Sequence, residues 1–245
     1  MIGMSGDAVL GDLMADLAAG RMPPADARVV VVPAPSTTHA AVLAFTAHHV
    51  VAADVPDAWV QERTKHDPFT APTSPEFLLE LGHRIGRPAG TVDVVFAAPA
   101  ATPPAATPPG ATPDTLPVRE IEPSAAEHRV KRALRYRRGV RTWQTTDGTG
   151  LLVIGRGLGG RWEASYEVTP GARGRGLGRR LAATARTLIP PGDTAFLQAS
   201  PGNTASMRAA IGAGYIVLGA EVLFGGRLGD GGPGSGTAAL RSTHT

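Results

Sequence analysis

The stretch Tyr166-Glu-Val-Thr-Pro-Gly-Ala-Arg-Gly-Arg-Gly-Leu-Gly-Arg-Arg-Leu181 constrains the fold more than any other part of the chain. A strand runs into a turn rich in glycine and arginine, and the turn opens directly into a helix. Gly174, Gly176 and Gly178 carry no Cβ, so backbone N–H groups there can turn towards an anion and approach it closely. The free N–H groups and positive dipole end of the following helix favour the same negative charge. Arg173, Arg175, Arg179 and Arg180 surround the turn with positive charge. This order of parts predicts a site for a pyrophosphate-bearing ligand.

Two common phosphate motifs do not fit. A P-loop needs Gly-x4-Gly-Lys-Ser/Thr, and the chain contains no Gly-Lys pair. A dinucleotide fingerprint needs Gly-x-Gly-x-x-Gly, whereas these glycines are spaced by two. What remains is Arg-x-x-Gly-x-Gly at Arg173, Gly176 and Gly178. It resembles the acetyl-CoA pyrophosphate loop of the GNAT N-acetyltransferase superfamily. The similarity continues downstream, where Thr194–Ser200 reads as a strand, followed by Asn203, Ser206, Gly214 and Tyr215 and an apolar run from Ile216 to Phe224. GNAT proteins commonly carry Asn-x-x-Ala/Ser on the helix after that strand and end it in Gly-Phe/Tyr. The match covers about residues 140–224.

The resemblance implies an α/β (α+β) fold with a mixed central sheet flanked by helices. It implies acetyl-CoA as co-substrate and a primary amine as acceptor. Its cofactor residues would be Val168, Arg173, Gly174, Arg175, Gly176, Leu177, Gly178, Arg179, Asn203 and Ser206. Val168 would turn its backbone to the acyl-pantetheine arm. Many members place a Tyr seven residues after the Asn, near the CoA sulfur, as proposed general acid; here that position is Ala210. Tyr215 reads as core packing. A second function therefore stands beside the enzyme: a GNAT-fold module that binds acyl-CoA as a sensor or regulator without turnover.

Acetyl transfer needs a positioned thioester, a polarised carbonyl and a neutral amine, and a carboxylate often takes the amine proton. Glu163 and Glu167 lie on the strand before the loop, and their spacing puts both on one face. In the family, acidic residues on this strand can act as base, so these two are the catalytic candidates. The alternative for each is a solvated carboxylate on an exposed strand position. Trp143 and Trp162 either line an acceptor pocket or pack.

Composition narrows the alternatives. The chain has 245 residues, 42% of them apolar, enough for one or two domains with a sizeable core. It has no cysteine, which excludes disulfides, a Cys nucleophile and thiolate zinc sites. His39, His48, His49, His66, His83 and His128 show no metal-ligand spacing, so no metal is expected. No apolar run reaches membrane-spanning length, and no basic residue precedes Arg21, so neither a membrane span nor a secretory leader is expected. A cytoplasmic location fits. Net charge is only +3, although Arg129–Arg141 is strongly basic. That stretch reads as a solvated helix face before it reads as a nucleic-acid patch, and it could also help recognise an acidic substrate.

Along the chain, residues 1–26 read as a tail or helix and 27–98 as an N-terminal α/β region, open to reading as a degenerate GNAT-like half. Residues 99–117 read as a Pro/Ala/Thr-rich linker, 118–225 as the GNAT domain and 226–245 as a disordered tail. Arg28–Pro33 reads as a buried strand, Ser36–Phe45 as a capped helix, 48–55 as a strand and 74–85 as a helix capped by Ser74 with Pro75 at its first position. Gly90–Ala97 reads as a further strand. In the C-terminal region a helix is predicted over about 123–138, with strands at 140–145, 151–156 and 161–168.

Overall fold

The computed structural model describes residues 6–36, 39–102 and 114–225. The central part of the proline-rich stretch and the tail from 226 onward lie outside the described residues. The helices are α1 (Gly6–Ala18), α2 (Asp57–Thr64), α3 (Pro75–Ile85), α4 (His128–Tyr136), α5 (Leu177–Thr187) and α6 (Thr204–Gly212). The first strands are β1 (Arg28–Val32), β2 (His39–Phe45), β3 (His48–Ala52), β4 (Ala89–Pro99) and β5 (Val118–Ile121). They are followed by β6 (Arg138–Thr145), β7 (Gly150–Arg156), β8 (Trp162–Val168), β9 (Thr194–Ala199) and β10 (Ile216–Gly225).

All ten strands form one mixed sheet in the order β1-β3-β2-β10-β4-β9-β8-β7-β6-β5. The pairs β1–β3 and β8–β9 are parallel and the others antiparallel. β9 and β10 are successive in the chain but not neighbours: β4, from the N-terminal region, fills the place between them. Both sides of the proline-rich stretch thus contribute to a single sheet.

Strand alternation sorts the core onto two faces. One face carries Leu10, Met14 and Leu17 of α1 over Leu43, Val95 and Phe196, and Val130 and Ala133 of α4 over Val153. The other carries α5 and α6 over Phe96, Leu152, Ile154 and Leu197, and α2 and α3 over Val42, Val51, Val222 and Phe224. The result is an α/β protein in which helices cover both faces of a large mixed sheet.

Local signals behave as their chemistry requires at α3. The Ser74 side chain accepts from the Phe77 N–H at 3.2 Å, Pro75 opens the helix, and Gly86 closes it at φ 67°. At Ser36 the outcome differs. Its hydroxyl accepts from the His39 N–H at 3.1 Å, as a helix cap would, but the residues that follow form β2 rather than a helix. β2 lies between β3 and β10 and pairs with both, so ladder bonds and two buried faces outweigh the alanine-rich local preference. α4 is shorter than the sequence predicts. It stops at Tyr136, and Arg137 is already extended, which turns its guanidinium under the sheet.

Candidate active site at a split in the sheet

β8 and β9 start side by side and then part. Their register holds only Trp162↔Ala195 and Glu163↔Phe196, although β8 runs on to Val168 and β9 to Ala199. One edge of β8 from Ala164 onward is therefore free of β9. A cavity of about 340 Å³ opens at this split and reaches both faces of the sheet. On the α6 side it meets Tyr166, Asn203, Ser206 and Ala210; on the α4 side it meets Arg129, Arg132, Asp93, Gln198 and Glu221.

The glycine turn sits at the foot of β8. Arg173 Nε donates to the Val168 carbonyl at 3.1 Å and ties the turn back to the strand end. Gly174 and Gly176 both have φ 77°, where a side chain would be strained, and nothing beyond the adjoining residues lies within 4 Å of a Cβ built on either. Gly176 caps α5 without a side-chain bond, so the orphan N–H groups of the first helical turn, on Leu177, Gly178 and Arg179, stay open. A Cβ on Gly178 would lie 3.5 Å from Tyr166 Cε2 and 3.6 Å from Ala209 Cβ, which puts the start of α5 beside the split. Arg175 is exposed. Arg179 and Arg180 turn the other way: Arg179 pairs with Asp114 at 2.8 Å, and Arg180 donates to the Thr115 carbonyl at 2.9 Å. Asn203 caps α6, its side chain accepting from the Ser206 N–H at 3.1 Å.

Under the sheet lies a buried ion network. Arg161 donates to both carboxylate oxygens of Glu221, at 2.8 and 2.7 Å, and through Nε to Glu163 at 2.9 Å. Arg137 donates to Glu163 at 3.0 Å and to the Ser165 hydroxyl at 3.1 Å. The Leu158 N–H completes the set at Glu163, 3.3 Å away. Burial alone would raise the Glu163 carboxyl, but Arg161 and Arg137 outweigh it and hold the group below the usual carboxylate range. Glu221 goes the other way. Burial pushes it up, and the charges of Glu163 and Asp93 add to that, against a single shared arginine.

The two predicted bases therefore stand in different surroundings. Glu163 is 2% exposed and is engaged by two arginines and a backbone N–H, which leaves it poorly placed to accept a proton from a substrate. Glu167 is at the surface, with Arg129 Nε 3.4 Å away. Two groups that sequence reasoning passed over lie in the cavity instead. Asp93 on β4 is pushed up by burial, opposed by the Thr91 hydroxyl at 3.0 Å and by Arg132 at 3.4 Å. Tyr166 on β8 reaches across to α6, its hydroxyl donating to the Ser206 carbonyl at 3.4 Å, and burial pushes it up to about 12. The signal for Asp93 and Glu221 was present: each is the one charged residue in an otherwise apolar strand run, 90–97 and 216–224. Tyr215 does pack in the core, where its hydroxyl donates to the Ala182 carbonyl at 3.1 Å. No cluster of metal-ligating side chains and no helix long and apolar enough to cross a membrane occurs among the described residues.

No family model matches the chain, and no curated protein matches it in sequence. Solved structures do. A putative acetyltransferase of the GNAT family from Novosphingobium aromaticivorans is 19% identical, over 57% of this chain and 66% of that one, with a TM-score of 0.35. A GCN5-related N-acetyltransferase from Kribbella flavida is 17% identical, over 60% of this chain and 63% of that one, with a TM-score of 0.39. A GCN5-related N-acetyltransferase from Sphaerobacter thermophilus is 19% identical, over 63% of this chain and 57% of that one, with a TM-score of 0.35. The aligned region thus spans less than two thirds of each of these structures.

Proposed function

We propose that the chain is a GNAT-type N-acetyltransferase that moves an acetyl group from acetyl-CoA to a primary amine. The observation that carries this reading is the split between β8 and β9, which ends beside the uncapped, glycine-led start of α5. A pyrophosphate fits the open N–H groups at Gly176–Arg179 with Arg173 and Arg175 near it. The acyl-pantetheine arm then lies along the free edge of β8, where backbone N–H groups can polarise the thioester carbonyl.

The two faces of the sheet supply the two substrates. Acetyl-CoA enters beside α5 and α6, and the amine comes from the α4 side. Asp93 is the group we assign to take the amine proton, because it lines the cavity and burial raises its carboxyl above the ordinary aspartate value. Tyr166 stays protonated and donates a hydrogen bond to the departing thiolate sulfur, from the side where Ala210 offers no hydroxyl. Glu163 is a positioning residue: it fixes Arg137 and Arg161, and through Arg161 it fixes Glu221.

Ala210 favours the second reading, an acyl-CoA-binding module without turnover. Calorimetric titration with acetyl-CoA, on the intact chain and on Gly176→Asp, tests both. Binding by the intact chain that the variant loses supports the loop as the cofactor site. Release of free CoA in an amine panel then separates the enzyme from the module. Failure of the intact chain to bind acetyl-CoA would overturn both.

A further inference from the structure

We propose that the acceptor is a small amine that carries its own carboxylate, an amino acid in the broad sense. This rests on the acetyltransferase reading and deepens it. On the α4 side the cavity presents opposite charges on opposing walls: Asp93 and Glu221 from the sheet, and Arg129 and Arg132 from α4. The four arginines near this site are not equally occupied. Arg137 and Arg161 make ion pairs to carboxylates at 2.7–3.0 Å. Arg129 and Arg132 make only 3.4 Å approaches, to Glu167 and Asp93. The Nε of Arg129 is shielded from solvent, and Glu167 Oε2, 3.4 Å away, is an ion-pair neighbour out of hydrogen-bond geometry. The Nε2 of Gln198, on the floor between the two walls, is also shielded and has no hydrogen-bond partner among the described residues, while its Oε1 accepts from Arg137.

Buried donors of this kind are costly unless something accepts from them. A ligand oxyanion between Arg129, Arg132 and Gln198 gives the two buried donors an acceptor and pairs with the more exposed Arg132. The ammonium of the same ligand then replaces Arg132 as the partner of Asp93, next to the proton acceptor it needs. A simple amine would fill only one wall and would leave the Gln198 Nε2 without an acceptor. The cavity, about 340 Å³, is at the lower end of ligand-pocket sizes (roughly 300–1,000 Å³) and must also admit the acyl end of the donor. Both charges therefore belong to one compact molecule.

The test uses the full chain, saturating acetyl-CoA and matched acceptors: β-alanine against propylamine, and L-alanine against L-alanine amide. CoA release is read as free thiol. The carboxylate-bearing member of each pair is expected to have kcat/KM at least about tenfold higher, the scale of one charge-assisted hydrogen bond. Arg129→Gln with Arg132→Gln should remove that preference through the KM of the carboxylate-bearing members, with acetyl-CoA affinity unchanged. Equal rates within pairs, preference for the uncharged member, or acetyl-CoA binding with no turnover of any of the four would overturn the proposal while leaving the cofactor site standing. Absence of acetyl-CoA binding would instead remove the reading on which it rests.

Discussion

Arg161 is the most consequential single side chain in the buried network, and its replacement by methionine gives a graded prediction. The side chain is 1% exposed and is shared by Glu221 and Glu163. In Arg161→Met, Glu163 keeps Arg137, but Glu221 loses the one cation paired with it among the described residues and stays buried beside Asp93. Removing one partner of a buried pair costs about 3–5 kcal/mol. Folding stabilities of whole domains are roughly 5–15 kcal/mol, so the loss is a large share. The sign with pH follows from the shifts. Glu163 is held down, so its contribution is present above the ordinary carboxylate value of 4.5 and is lost as pH falls. Glu221 in the variant is pushed further up. It folds most readily as the neutral acid below 4.5, and the penalty grows as pH rises through its raised folded value. Urea unfolding followed by tryptophan fluorescence at pH 7 and pH 5 should show a gap from the parent chain that narrows in acid. Arg161→Met with Glu221→Leu should recover most of the loss, since paired apolar replacement is often neutral or better. A gap under about 1 kcal/mol at pH 7, a gap independent of pH, or a double variant no better than the single one would refute the reasoning.

Three further outcomes are expected. In Gly157→Ala the new Cβ would overlap the Glu163 carboxyl group, so the variant should lose about 2–4 kcal/mol in the same unfolding assay, more than an ordinary Gly→Ala change in a loop. Tyr166→Phe should lower kcat about ten- to a hundredfold with acetyl-CoA affinity unchanged, as befits a donor that acts on developing charge, and steady-state thiol release with calorimetry reads both. Asp93→Asn should lower kcat/KM by about 10²–10⁴ and flatten the acidic limb of the pH–rate profile. In the parent that limb should lie above the usual aspartate range, because burial raises Asp93 and the rate falls as the group becomes protonated.

What was legible in the sequence depended on range. The turn at Arg173–Gly178, the cap at Ser74 and the strands around the split are local patterns, and each forms where its residues indicate. The segment 39–45 did not read correctly, because its strand state depends on β3 and on β10, which comes at the far end of the chain. The base candidates show the same limit at the site. Glu163 and Glu167 share a strand face as alternation requires, but nothing local reveals that Arg161 and Arg137 converge on Glu163. Asp93 stands out as the one charge in its strand run, but its place at the site is not a local property. It lies upstream of the proline-rich stretch, and only the sheet order brings it to residues more distant in sequence.

The position of β4 has a consequence for how the molecule comes into being. Residues 118–225 alone would contain β9 and β10 with the ladder bonds to a missing middle strand unmade on both. The upstream piece would hold β4 with both of its edges bare. Severed in the proline-rich stretch, the chain becomes a lock-and-key pair of polypeptides, each an aggregation hazard by itself and each the other's remedy. Because Asp93 travels with one piece and the glycine turn with the other, reassembly and recovery of the cavity would be one event.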